Sequence, residues 1–404
     1  MKTCRRRWLP AGGTVFFFLV STVSPVQSGE PVSAIQAEVE IPPESLLDVG
    51  IQVFDPGLGD GEESELEEKG IFPEVRKSEA RFIPLLLMNT LETTGHWGAV
   101  RVVPVGTEGL DVIVSGVILQ STGHDMKLYI RVVDSAGRVW RNKVYREPAD
   151  SLAYHAERIE SAEPYQSLYN RIANDMLASR RKLRDEEVIR IREISGLRFG
   201  AHIAPDIYGD YLSVNHRGRY SIERLPSIRD PMWERISRLR DRDYLFVDTL
   251  NEYYADFFVK MYQVYFDWRV SSFEERQAFL EMRAKARKRK WLGGLLIFAG
   301  IFSDDSGLQD AAILGGVAVI DSGVQKGKEA KIHLEALREL GASFDSEIAP
   351  LRVEVEGHTL RLEGSAENQF SEWRRLLREI FTAESGLPLD PNQQPEVPGP
   401  AAES

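Results

Sequence analysis

Residues 98–146 read GAVRVVPVGTEGLDVIVSGVILQSTGHDMKLYIRVVDSAGRVWRNKVYR. Runs rich in Val, Ile and aromatic residues alternate with Gly, Pro and Asp, the pattern of short strands between turns. They predict strands at 98–105, 111–121, 127–134 and 137–146, with Asp134 to Gly137 as the tight turn joining the last two. Upstream, Val49 to Phe54 is a short buried-strand pattern closed by the turn-rich DPGLGDG. Between these strands, SEARFIPLLLMNTLETTG (78–95) predicts a helix with Ser78 as N-cap, Gly95 as the stop, and a kink or fresh start at Pro84. One strand, one helix and then a meander is an α+β arrangement, and it sets a first, small α/β domain at 39–148. The run EESELEEKG (62–70) reads as a solvated acidic loop. Its spacing fails the helix-loop-helix calcium pattern, because Gly57 and Gly59 stand where side-chain oxygens are needed.

The same stretch carries a resemblance. The phrases GAVRVVPV, DVIVSGVIL and LYIRVVDSAGRVWRNKVY, with Asp111 to Gly116 fitting a D-x-x-x-x-G phrase after the helix, resemble an α/β domain of bacterial envelope proteins. Curli-secretion channel lipoproteins, the amino-terminal domain of the Tol-system periplasmic protein and auxiliary lipoproteins of envelope transporters share it. The resemblance implies envelope assembly or transport support, without catalysis. The chain departs from several of those relatives in lacking a lipid-anchor cysteine after its leader.

That leader is read at 1–28. Arg5, Arg6 and Arg7 precede a short apolar run from Val15 to Val20, then Pro25 and the small-residue pattern ending at Ser28. This is the layout of a secretory signal peptide, and the run is too short to anchor in a bilayer. The expected location is the periplasm, in association with a membrane. The only cysteine, Cys4, lies ahead of the apolar run, so disulfides and thiolate metal sites are excluded from the rest. A net charge of -12 argues against nucleic acid as a partner.

The middle, 160–270, reads as helical. One long helix is predicted from Glu163 to Ile194, then irregular chain from 196 to 230, with Asp230 and Pro231 as N-cap and first helical residue. The helix that follows is aromatic. Phe246, Leu250, Tyr253, Phe257, Met261, Val264 and Trp268 form one stripe; Tyr254, Phe258, Tyr262 and Phe266 form a second. Two stripes mean burial on two sides, as for a central helix. A glycan-stacking face is the alternative. Ser272 and Glu275 form a capping box that predicts a new helix, opening a hairpin region at 272–344.

Within that region Lys290 to Gly327 holds two glycine-rich apolar arms about an acidic turn. Trp291 to Phe302 spans about 18 Å as helix and Ala311 to Ile320 about 15 Å, short of the roughly 30 Å a bilayer requires. Asp304, Asp305 and Asp310 sit at the tip, where an ionised Asp in lipid costs about 3 kcal/mol. Gly293, Gly294 and Gly300 on one arm, and Gly315, Gly316 and Gly323 on the other, each cost about 1 kcal/mol in a helix. Close approach of paired helices would offset that cost. The spacing resembles the glycine-zipper hairpins of bacterial envelope proteins. It implies self-association into a homo-oligomer or contact with envelope proteins, with burial in a monomer core as the alternative. Lys288, Arg289, Lys290 and Trp291 mark a candidate membrane-surface contact.

Residues 347–386 predict a β-β-α module, with alternating strands about Gly357. Gly357 to Gly364 resembles the G-x-x-x-L-x-G phrase of BON domains, which implies phospholipid or membrane contact. The tail, 387–404, is rich in Pro and Gln and predicts disorder.

No catalytic, cofactor or metal residues are assigned. The seven histidines are scattered, with no H-E-x-x-H and no G-x-S-x-G. The sequence thus predicts a non-enzymatic envelope protein supporting assembly or transport through the glycine-rich hairpin. The alternative is a peptidoglycan-binding or peptidoglycan-cleaving protein that uses the aromatic helix region.

Overall fold

The computed structural model describes residues 31–59, 66, 71–154, 163–227, 229–300, 336, 339, 351–355, 358–362 and 365–386, without the side chains of 275, 278–300 and 351–361. Strand β1 (Val49–Gln52) is apolar and almost wholly buried, which requires neighbours on both sides. It has them. Helix α1 (Pro73–Thr93) carries the chain over to β2 (Val100–Val103), which pairs parallel with β1, as a helical crossover permits. On the other side β1 pairs parallel with β3 (Val112–Ser121), and β4 (Asp125–Asp134) and β5 (Val139–Pro148) continue as an antiparallel meander. The sheet order is β2-β1-β3-β4-β5. The predicted Asp134–Gly137 turn joins β4 and β5, with Gly137 at φ 80°.

Helix α1 departs from expectation at its start. It begins at Pro73, whose fixed φ suits the first turn, and Ser78 lies inside it, donating to the Glu74 carbonyl at 3.0 Å. The helix runs through Pro84. That proline lacks the N–H that would bond Ala80, and the freed Ala80 carbonyl accepts Phe54 N–H instead, at 2.9 Å. A predicted helix breaker thus becomes the point where the end of β1 docks. Gly95 ends the helix as expected, at φ 69°.

The long helix expected over 163–194 is two helices, α2 (Gln166–Arg180) and α3 (Asp185–Ile203). The break falls where Asp185, Glu186 and Glu187 open a new first turn. Glu187 closes it by accepting Arg184 N–H at 3.1 Å. The stretch read as irregular contains the end of α3, the short helix α4 (Pro205–Tyr208) and a small hairpin of β6 (Leu212–Val214) and β7 (Tyr220–Ile222).

Asp230 caps α5 as expected, accepting Met232 N–H at 2.9 Å. Helix α5 (Pro231–Gly300) then runs for 70 residues without interruption. The capping box at Ser272 and Glu275 is therefore not used, and the aromatic helix and the first glycine-rich arm are one element. After it come β8 (Leu351–Val355) and β9 (His358–Leu362), paired antiparallel, and α6 (Ala366–Ser385), capped by Ser365.

The class is α+β. The described residues from Val32 onward form one unit with two apolar clusters. In one, Ile83, Leu87 and Leu91 of α1 and Leu168, Ile172 and Met176 of α2 cover Val114, Leu128 and Ile130 of the sheet. In the other, α5 gathers Phe82 of α1, Val103 of β2, Phe199 of α3 and Trp373 of α6.

Candidate functional site

The feature that sets this fold apart is the long helix α5 and the joint that holds its first half. The joint begins at the sheet edge. An edge strand presents unpaired N–H and C=O groups, and β2 is such an edge. The Asn251 amide meets both groups of Val102. Its Oδ1 accepts the N–H at 2.7 Å and its Nδ2 donates to the carbonyl at 2.8 Å. Beside it, Arg101 grips Asp248 through two hydrogen bonds of 2.6 and 3.1 Å and lies 4.7 Å over the Tyr244 ring. One turn of α5 thus stands in for a neighbouring strand.

Further along, the β3–β4 turn grips α5 a second time. A Cβ at Gly123 would lie 2.2 Å from the Arg269 carbonyl, so only glycine admits this approach. Tyr154 donates to the Gly123 carbonyl at 2.7 Å, Tyr165 donates to the Thr122 carbonyl, and the His124 ring stacks on Phe273 at 5.6 Å. Arg269 is buried. Its Nη1 reaches both oxygens of Glu163 at 3.0 Å, and its guanidinium lies 4.2 Å from the Tyr265 ring centre. Burial alone would lower its pKa; Glu163, joined by Tyr265, Tyr154 and Tyr169, outweighs that and holds it charged. Glu79, fully buried on α1, accepts from Ser121 at 2.5 Å and from Tyr265 at 2.7 Å.

A third contact ties α5 to α6. Arg374 donates to Asp243 at 2.6 Å and to the Glu108 carbonyl at 3.1 Å. Burial pushes the Asp243 carboxyl up, against the pull of Arg374. Removing one member of a buried pair of this kind costs about 3–5 kcal/mol.

These carboxylates are enclosed and engaged with neighbouring side chains, an arrangement suited to fixing a helix. Among the described residues no three His, Cys, Asp or Glu side chains gather as a metal site. Much of the aromatic stripes is core. Phe246, Phe257 and Trp268 of the first and Tyr254 and Phe266 of the second are buried, while Tyr253, Phe258, Tyr262 and Val264 are half-buried; rings stack on rings, as Phe246 does on Trp373 at 5.0 Å.

The residues singled out from the sequence fall at the far end of α5. Gly293, Gly294 and Gly300 lie in its continuous backbone, as do Lys288, Arg289, Lys290 and Trp291. Gly293 and Gly300, seven residues apart, share a helix face with Leu296 and Ile297. Gly315, Gly316 and Gly323, with the rest of the expected hairpin, lie outside the described residues, as do the leader at 1–28 and the tail. The joint residues Asn251, Arg269, Glu163 and Gly123 were not singled out. The available signal was a charge on an apolar stripe: Arg269 stands four residues after Tyr265.

No family model matches the chain, and neither a curated protein nor a solved structure matches it. Among the described residues no helix is long and apolar enough to cross a membrane.

Proposed function

We propose that this protein is a non-enzymatic component of a bacterial envelope that supports assembly or transport, with α5 as its working arm. The observation that carries the reading is the continuity of α5. Its first half is fixed in the core and its last turns carry the apolar, glycine-bearing sequence. From Phe273, which touches the β3–β4 turn, to Gly300 is about 40 Å of helix. A helix held at one end by Asn251, Arg269 and Asp243 transmits a contact made at its other end to the sheet. The leader-like amino terminus supports an envelope location. The cluster Lys288 to Lys290, just before Trp291, suits anionic headgroups at a membrane surface. The contact itself is self-association through the glycines, or seating on that surface.

Replacing Gly294 and Gly316 with Leu tests this. Helix propensity alone gives a gain of up to about 1 kcal/mol per glycine. A close-packed glycine contact gives the opposite sign. The full-length double variant is expected to fold and to lose its oligomeric state in size-exclusion chromatography, or its co-flotation with anionic vesicles. Unchanged association in both assays contradicts the reading.

A further inference from the structure

A groove of about 350 Å³ opens between α3 and the first turns of α5, far from the glycine-bearing end of that helix. Ile189, Arg192, Glu193 and Gly196 of α3 form one side; Trp233, Ser237 and Arg240 of α5 form the other; Glu44 closes one end. Its volume lies at the lower end of the range for small-molecule sites.

The floor is shaped by two glycines of α3. A Cβ at Gly196 would lie 2.9 Å from Arg240 Nη1, and one at Gly200 would lie 3.0 Å from the Trp233 ring. Four residues apart, they let the guanidinium and the indole lie against the helix. Tyr208 braces the indole at 5.3 Å, and the Arg240 guanidinium sits 5.9 Å from the Tyr244 ring centre.

The charges are the telling feature. Arg192 and Arg240 line the groove, and so do Glu44 and Glu193, yet among the described residues none of the four forms an ion pair within 4.0 Å. Other arginines of the molecule find carboxylates, as Arg101, Arg198, Arg269 and Arg374 do. Arg240 has none; its Nε is buried without a hydrogen-bond partner, as are those of Arg235, Arg269 and Arg374, but unlike them it has no carboxylate within 4.0 Å among the described residues. Arg192 is exposed and uses Nη1 on the Pro43 carbonyl at 3.0 Å, which fixes the side chain, while its charge also acts on the buried Asp111 carboxylate. A guanidinium without a carboxylate beside an open groove is ready to donate charge-assisted hydrogen bonds from its terminal nitrogens to a ligand carboxylate.

We infer that this groove binds a zwitterion, an amino acid or short peptide. Its carboxylate meets Arg240 and Arg192, its ammonium meets Glu44 and Glu193, and its side chain lies on Trp233 and Ile189. A plain anion would leave two carboxylates facing it, and a plain cation would leave two guanidinium groups.

The test uses full-length protein with alanyl-alanine and leucyl-alanine, each in L and D form. Acetate and ethylammonium serve as single-charge controls, and binding is read by ligand-observed NMR and calorimetry. At least one dipeptide is expected to bind with a Kd of about 1 mM or tighter. Acetate and ethylammonium are expected to bind about tenfold more weakly or not at all. Arg240→Gln is expected to weaken the dipeptide about tenfold or more, the order of one charge-assisted hydrogen bond. Glu44→Gln with Glu193→Gln reads the ammonium side and carries the test if Arg240→Gln does not fold. No dipeptide binding at about 10 mM overturns the inference. So does acetate binding as tightly as the dipeptide, or dipeptide affinity unchanged in a folded Arg240→Gln or in the Glu44, Glu193 variant.

Discussion

His202 sits near the end of α3, close enough to Arg374 and Arg378 of α6 for both charges to act on it. Burial first, and the two guanidinium charges second, push its pKa from 6.5 down to about 3. The unfolded chain takes up this proton near pH 6.5 and the folded chain only near pH 3. Between those values the unfolded state holds more protons, so stability rises with pH across the window and is flat above it. The contribution lost on going from pH 7 to pH 5 is about 2 kcal/mol. Urea unfolding at both pH values should show this loss in the parent and its absence in His202→Gln. An equal pH dependence in the two would contradict the assignment. At this scale the sequence made local geometry legible: the Asp230 cap, and the left-handed turns at Gly95 and Gly137. It did not reveal partners far apart in the chain. Arg269 and Glu163 lie 106 residues apart, and Asn251 and Val102 lie 149 apart; nothing local marks either pair. The groove's lining likewise joins α3 and α5, so its unpaired charges emerge only on folding.

Among the elements, α5 shows how a true local signal is overridden. Ser272 followed by Glu275 satisfies the capping-box pattern, and that pattern placed a helix boundary where there is none. The competing signal was longer in range. No Gly or Pro occurs between Met232 and Leu292, and the apolar stripe holds the backbone helical through Trp268. Ser272→Ala separates the two readings by sign. Loss of a cap costs about 1 kcal/mol, whereas Ala inside a helix gains up to about 0.5 kcal/mol. A slight rise in melting temperature is expected, and a fall of several degrees would restore the boundary. The reverse error occurred at α2 and α3, where apolar periodicity runs through Arg181 to Arg184 and hid a break signalled by the acidic turn at Asp185.

For the whole molecule, the α+β class was legible because strand alternation and helix periodicity differ so plainly over 49–146. The packing of the pieces was less so. The β-β-α segment at 347–386 reads as a module, but Trp373, Leu377 and Phe381 of its helix join the cluster around α5, and Arg374 reaches Asp243. The account's central claim is that this body holds α5 so that its far end can make a contact outside the chain. A photo-crosslinking amino acid at Leu296 of the full-length protein, activated in cells that produce it, tests that claim directly. Leu245, 66% exposed on the part of α5 held in the body, provides the control position. The account predicts crosslinked dimers or lipid adducts from Leu296 and none from Leu245. Crosslinks from Leu296 confined to its own chain, or the same products from both positions, would contradict it.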